Sequence, residues 1–231
     1  MSTLQTLDRG LAVLGLVAAA PGGLAVPAIA EALGVHKAIA YRLVATLQAH
    51  GMVWRGEDGR VMLGAAVLGL AARFQPHFRA EAAALLADLT RATGCTSCIA
   101  LAEGEDCVVV LVQEAEEGPL RFSYRIGLRQ PLTRGAAAGL ALLAGRAETP
   151  GEAPEVRQTR IDGYALTHGQ LHPGASGLAV PVLTPDMPRL GPEPCVAVIS
   201  LAPIDVPRVS RAAWDCAARL RSLLAPGGGR G

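Results

Sequence analysis

Three groups of residues in this chain have types and spacings that could do chemistry. Cys95-Thr96-Ser97-Cys98 has the C-x-x-C spacing of redox and zinc sites. Redox use wants the first thiol at a helix N-terminus, where the dipole lowers its pKa, but this pair follows Gly94 and enters a predicted strand. Zinc needs two further ligands; Cys107 could be one, yet no His accompanies it at ligand spacing. Two readings remain: buried hydrophobic cysteines, or a thiol protein using Cys95, Cys98 or Cys107. Cys195 and Cys216 fall in apolar patterns and read as core. His168 and His172 stand four apart, as helical metal ligands do, but the neighbouring glycines and Pro173 oppose a helix, so they read as loop histidines. No G-x-S-x-G, Walker loop or H-E-x-x-H occurs, so the expectation is no enzyme, no metal and no cofactor. The third group is Lys37, Tyr41 and Arg42. An Arg there could be bidentate to guanine O6 and N7 or could bind phosphate, and Lys37, near the predicted helix start, suits either role. Alone, the group could equally be a solvated helix face; the elements around it decide.

Those elements run from Val26 to Gly64. Pro27 suits a first helical position, where its missing N–H costs nothing, and Ile29, Ala30 and Leu33 give a short apolar face. Gly34 supplies a tight turn. A second helix starts near His36, itself read as a turn or capping residue beside the DNA-contacting set, and its expected inward face is Ile39, Leu43 and Leu47. Gly51 closes it. MVWR and RVML then form a predicted hairpin around Asp58-Gly59, with Trp54 expected in the core. This is a helix-turn-helix with a wing, and Arg55 or Arg60 is expected to touch the phosphate backbone.

The chain has 231 residues, 51% hydrophobic but only 3% aromatic, so its core must be built from Ala, Leu and Val. Net charge is +1, which argues against a polybasic protein. Residues 1–75 carry six Lys and Arg against four Asp and Glu, and the remainder 15 against 16, the sign a local DNA-binding face requires. No apolar run reaches the roughly 18 to 20 residues of a membrane span, and no signal peptide is visible, so a cytoplasmic protein without membrane partners is expected. Five cysteines do not make a disulfide framework.

Leu4 to Ala20 reads as an amphipathic helix through positions 7, 11, 14, 16 and 17. Ala65 to Phe74 is again helical, and Pro76 sets the expected boundary: a DNA-binding domain with linker helix over 1–75, and a second domain over 76–231. The second domain begins with a helix from Phe78 to Thr93. Strands are expected at Thr96–Ala102, Cys107–Val112, Leu120–Tyr124, Tyr164–His168, Leu178–Leu183 and Cys195–Ala202, with a small-residue helix from Gly135 to Gly145. Residues 146–160 read as a polar connector, Pro185–Pro194 as a loop, Val206–Leu224 as a closing helix and PGGGRG as a disordered tail. Helices around a mixed sheet make this domain α+β.

The order of parts resembles the IclR family of bacterial transcriptional regulators along essentially the whole chain. TLDRGLAVLGLV is similar to the family's first helix, LAVPAIAEALGVHKAIAYRLVATLQAHGMVWR to its helix-turn-helix, and GRVMLGAAVLGLA to its wing and linker. GYALTHGQLHPGASGLAVPV resembles the effector-domain signature, with Gly163, Tyr164, Gly174, Ala179, Pro181 and Val182 in register. The resemblance implies a winged helix-turn-helix domain followed by a GAF-like α+β effector-binding domain, in dimers joined through the N-terminal part and often in tetramers. It implies a pseudo-palindromic double-stranded DNA operator, a small-molecule effector and, more often than not, repression. It places the effector against the backbone N–H groups of Ala137 and Ala138 and near Thr167, Gly177, Ile199 and Leu201. Ala38 and Ile39 stand where the family has small hydroxyl residues, Tyr41 where a His is frequent, and a helix before Gly163 looks missing. Of those four side chains only Thr167 keeps a polar group, so the ligand is less polar, or Arg134, His168, His172 or Ser176 reaches it, or the pocket has decayed.

Overall fold

The computed structural model of the chain describes residues 4–73, 76–115, 125–187 and 193–224, with 76–78 described by backbone alone. The strand expected at 120–124, half of the loop expected at 185–194 and the PGGGRG tail lie outside the described residues. The chain divides into two compact units, Met1–Pro76 and His77–Gly231.

In the first unit, α1 (Gln5–Ala18) buries Val13 and Val17, while Leu7 and Leu11 are 60% and 59% exposed. Its inward stripe therefore starts a turn and a half later than the apolar pattern suggests, because only its second half lies on the unit's core. β1 (Leu24–Ala25) leads into α2 (Val26–Ala32), which has Pro27 in its first turn and buries Val26, Ile29 and Ala30. Gly34, at φ +62°, turns the chain into α3 (Lys37–Ala49). The buried stripe of α3 is Ala40, Leu43 and Val44, and Ile39 is exposed instead of buried. Both stripes contain Leu43 and fit a 3.6-residue period, and the cluster with Val13, Val17 and Ile29 selects the second.

β2 (Val53–Arg55) and β3 (Arg60–Leu63) form the wing in a three-stranded sheet of order β1-β3-β2. Strand parity puts Val53 in the core and leaves Trp54, opposite Met62, 49% exposed, which corrects its expected burial. Gly64 is required sterically, since a Cβ there would lie 2.1 Å from the Gly51 carbonyl oxygen. The linker helix α4 (Ala66–Ala72) buries no residue, and Leu68 and Leu70 are exposed.

The second unit opens with α5 (Pro76–Thr93), whose first residue is the proline expected to break the chain. Strands β4 (Thr96–Glu103), β5 (Asp106–Gln113), β6 (Arg129–Pro131), β7 (Ala165–His168), β8 (Ser176–Pro181) and β9 (Glu193–Ser200) form one sheet of order β6-β5-β4-β9-β8-β7. Every pairing is antiparallel, so the sheet is not mixed. Both faces are covered. α6 (Ala137–Ala144) packs on one face with Cys98, Ala100, Val109 and Ala197. α5 and α8 (Val206–Leu224) cover the other through Leu86, Ile99, Val198, Val209 and Leu220. Residues 154–162 are not a connector but a helix, α7 (Pro154–Asp162), started by Pro154 and ended by Gly163 in the left-handed conformation at φ +77°.

Candidate nucleic-acid interface and effector cavity

The outer face of α3 carries Lys37, Tyr41 and Arg42, all exposed. The side chains of Lys37 and Arg42 make no hydrogen bond or ion pair with any described residue, so both cations are free for phosphate or base edges. His36 is the N-cap of α3: its Nδ1 accepts the Ala38 N–H at 3.3 Å. That employment leaves the imidazole a structural part of the interface.

The two wing arginines are occupied. Arg60 donates to the Gly23 carbonyl at 3.0 Å and pairs with Asp58 at 3.6 Å, tying β3 to the turn before β1. Arg55 donates through Nε to the Gly59 carbonyl at 3.0 Å, and its guanidinium lies over the Tyr41 ring, 5.7 Å from the centroid. Both are nevertheless exposed, so the hairpin holds the two expected phosphate contacts in place within the wing.

In the second unit, Ala137, Ala138, Thr167, Ser176, Gly177 and Ile199 line one cavity of about 30 Å3, room for a water or two. It lies between the first turn of α6 and strands β7, β8 and β9. No side chain caps α6 at Ala136, so its first N–H groups are available there. Thr167, Gln170, His172 and Ser176 supply the other polar groups, and Cys98, Leu171, Ala175 and Ala197 are apolar wall. No Lys or Arg is among the described lining residues, and Arg134 stays outside on an exposed 3-10 turn.

Two expected ligand contacts do not line the cavity. His168 is exposed, one residue along β7 from the inward Thr167, and its Nδ1 is 3.0 Å from Ser176 Oγ. Leu201 lies beyond the end of β9 and is 38% exposed. Gln170 and Leu171 were not singled out by sequence reasoning. Their signal is the pair Gly169 and Gly174, both at positive φ, which folds residues 169–175 into a tight loop closed by the Gly169 N–H to Ala175 carbonyl bond at 2.8 Å.

Four of the five thiols are buried and Cys95 is half-buried. Burial pushes Cys98 up to about 12 and Cys107 up to about 11, and raises Cys195 well above the usual thiol range. Cys95 packs with the α5 and α8 side of the sheet and Cys98 with the α6 side. An i, i+3 pair entering a strand points to opposite faces, so the C-x-x-C spacing makes no dithiol here. Activated thiolate chemistry at Cys98 or Cys107 is contradicted by this burial.

A winged helix-turn-helix with free cations on its second helix, followed by an antiparallel α+β domain, defines a DNA-binding transcriptional regulator. The helix-turn-helix domain is of the IclR type, and the chain as a whole is similar to bacterial transcriptional regulators of that family. Residues 6–56 match the family model for the IclR helix-turn-helix domain. Over 212 residues the chain is 28% identical to the HTH-type transcriptional regulator XynR of Escherichia coli K12, covering 79% of this chain and 81% of that one. It is also 28% identical over 201 residues to the glycerol operon regulatory protein of Streptomyces griseus, 78% and 79% of the two chains. The fold is similar to that of an IclR transcriptional regulator from Alicyclobacillus acidocaldarius, at TM-score 0.80 and 23% identity, covering 97% of this chain and all of the other. It is similar too to an IclR homologue from Microbacterium hydrocarbonoxydans in complex with 4-hydroxybenzoate, at TM-score 0.77 and 19% identity, over 94% and 98% of the chains. No helix among the described residues is long and apolar enough to cross a membrane.

Proposed function

We propose that the protein is an operator-binding repressor released by a small-molecule effector. The observation that carries the DNA half is the exposed and unpaired Lys37 and Arg42 flanking Tyr41 on α3. Read with the family's dimers, a second copy joins along the exposed row Leu4, Leu7 and Leu11 of α1, giving a homodimer or a homotetramer built from it. Two-fold symmetry then calls for a pseudo-palindromic operator, with half-sites about one helical turn apart.

The effector half rests on the cavity at the start of α6. A protein of the same fold is known in complex with 4-hydroxybenzoate, and in this chain a ligand in the cavity would meet the uncapped first turn of α6. No Lys or Arg is among the described lining residues, so a buried carboxylate has little to offset its desolvation, and a less polar effector suits this cavity better. At about 30 Å3 the cavity must open before a metabolite enters. Such a ligand selects the open state and shifts the DNA-binding equilibrium by no more than its differential affinity.

The test is binding of the full chain to duplex DNA from the region upstream of its own coding sequence and to genomic fragments it selects, by fluorescence anisotropy across a salt series. Selective binding, weakened at least about 10-fold by Lys37→Ala and by Arg42→Ala, is expected. Binding that selects no sequence, and that both substitutions leave unchanged, would overturn the regulator reading. Transcription from a promoter overlapping the selected site should fall on adding protein, whereas a rise would make it an activator.

A further inference from the structure

The pairing of Arg55 with Tyr41 joins the wing to the recognition helix. Arg55 ends β2, and its guanidinium carbon lies 5.7 Å from the centroid of the Tyr41 ring, within cation–π range. Its Nε holds the Gly59 carbonyl at 3.0 Å, across the turn of the same hairpin. Gly59 has φ +78°, and a Cβ there would come 3.3 Å from an Arg55 terminal nitrogen, so the turn is shaped around the guanidinium. Tyr41 is itself 43% exposed and has no other ring contact among the described residues. An exposed tyrosine held by nothing else samples several rotamers. With one ring face covered, the ring edge and hydroxyl remain to meet DNA.

We infer that Arg55 is a positioning residue that fixes Tyr41 for reading one base pair in each half-site, and that it is not a phosphate contact in its own right. This rests on the DNA-binding reading above. Sequence preference at that base pair then depends on a wing residue that need not touch the base.

The experiment is a parallel selection from a random-sequence duplex library with the full chain as wild type, Tyr41→Ala, Arg55→Leu, Arg55→Lys and the double variant Tyr41→Ala/Arg55→Leu. Melting temperatures confirm that each is folded, and affinities for the winning wild-type duplex follow across a salt series. Tyr41→Ala and Arg55→Leu should flatten preference at the same position and weaken the winning duplex by about 5- to 10-fold each. The double variant should be no weaker than Tyr41→Ala alone. Arg55→Lys keeps the charge but loses the planar stack, so it should fail to restore the preference. A uniform loss over all sequences, with the salt slope reduced by about 0.9 and Arg55→Lys near wild type, would make Arg55 a phosphate contact and overturn the inference. Multiplying losses in the double variant, or no effect of Arg55→Leu, would overturn it as well. A wild type that enriches no sequence would instead be a failure of the DNA-binding reading.

Discussion

Arg160→Met should loosen the anchorage of α6, the helix whose first turn walls the candidate cavity, without altering any residue that lines it. Arg160, on α7, donates through one terminal nitrogen to the carbonyls of Ala144 and Arg146, where α6 ends. Its other terminal nitrogen meets both carboxylate oxygens of Glu152, at 2.8 and 2.9 Å. The side chains of Arg160 and Glu152 are 23% and 8% exposed, so their pair is largely withdrawn from water. Met keeps most of the stem volume, which makes the loss mainly electrostatic. Removing one partner of such a pair costs about 3 to 5 kcal/mol, because the other charge stays buried and uncompensated. The buried Nε of Arg160 has no partner, and the guanidinium is partly wet, so the lower end, about 3 kcal/mol, applies. For a unit of this size that is a drop of about 6 to 12 °C in melting temperature. Urea unfolding followed by circular dichroism measures it, with Glu152→Gln/Arg160→Met as the control that removes the stranded charge and should recover about half the loss. A loss below about 1 kcal/mol, or a double variant no better than the single one, would refute the claim that this pair clamps α6.

Three further outcomes are expected. A Cβ at Gly177 would meet Ala137 and Thr167 at 3.4 Å, ordinary contact, while the extra methyls of valine would fill most of a cavity of about 30 Å3. Gly177→Val should therefore bind operator like wild type yet show no melting-temperature rise with any compound that stabilises wild type in a metabolite panel; a retained rise would place the effector elsewhere. The unfolded chain releases thiol protons near 9.0, while the folded chain holds those of Cys107 and Cys216 to about 11 and that of Cys98 to about 12. Above pH 9 the unfolded state thus binds fewer protons, and stability should fall as pH rises toward 11, by up to about 1.4 kcal/mol per unit per thiol. Urea midpoints under reducing conditions would show this, and a flat profile would mean that the thiols are hydrated. Leu7→Asp with Leu11→Asp should leave a folded monomer in sedimentation and cost operator affinity, and a retained dimer would move the interface off α1.

Much of the first unit is legible because its signals are local. Pro27, Gly34, Gly51 and Asp58-Gly59 each require a particular backbone conformation within a few residues, and each stands at the end of an element. What stays ambiguous is which face of a helix turns inward. Ile39-Leu43-Leu47 and Ala40-Leu43-Val44 are both helical stripes, and only packing against α1 and α2 separates them. α7 escapes for a different reason: it has almost no apolar stripe, burying only Val156 and Thr159. Its stability comes from Pro154, Gly163 and the Arg160 clamp, and the first two are signals a polar composition conceals. The all-antiparallel sheet depends on pairings between residues about 100 apart, such as Thr96 with Ile199, which no local pattern encodes.

The two sites differ in the same way. The DNA-contacting candidates Lys37, Tyr41 and Arg42 lie on one helix, so spacing reveals them. The cavity is walled by Ala137, Ala138, Ala197 and Cys98, types that any core contains, and its polar groups come from separate strands. Register then decides membership. Thr167 pairs with Gly177 and Gly177 with Ile199, so these three form one row across β7, β8 and β9 facing α6. Moving one residue to His168 turns the side chain outward. Along that row the chain offers one hydroxyl, one position without a side chain and one butyl group. The glycine makes the space, the isoleucine makes its far wall apolar, and Thr167 is left as the row's single side-chain polar anchor. On the proposed effector reading, a ligand met by this row would be small and carry one group able to hydrogen-bond to that hydroxyl, and substitutions at Gly177 and Thr167 are then expected to change effector preference.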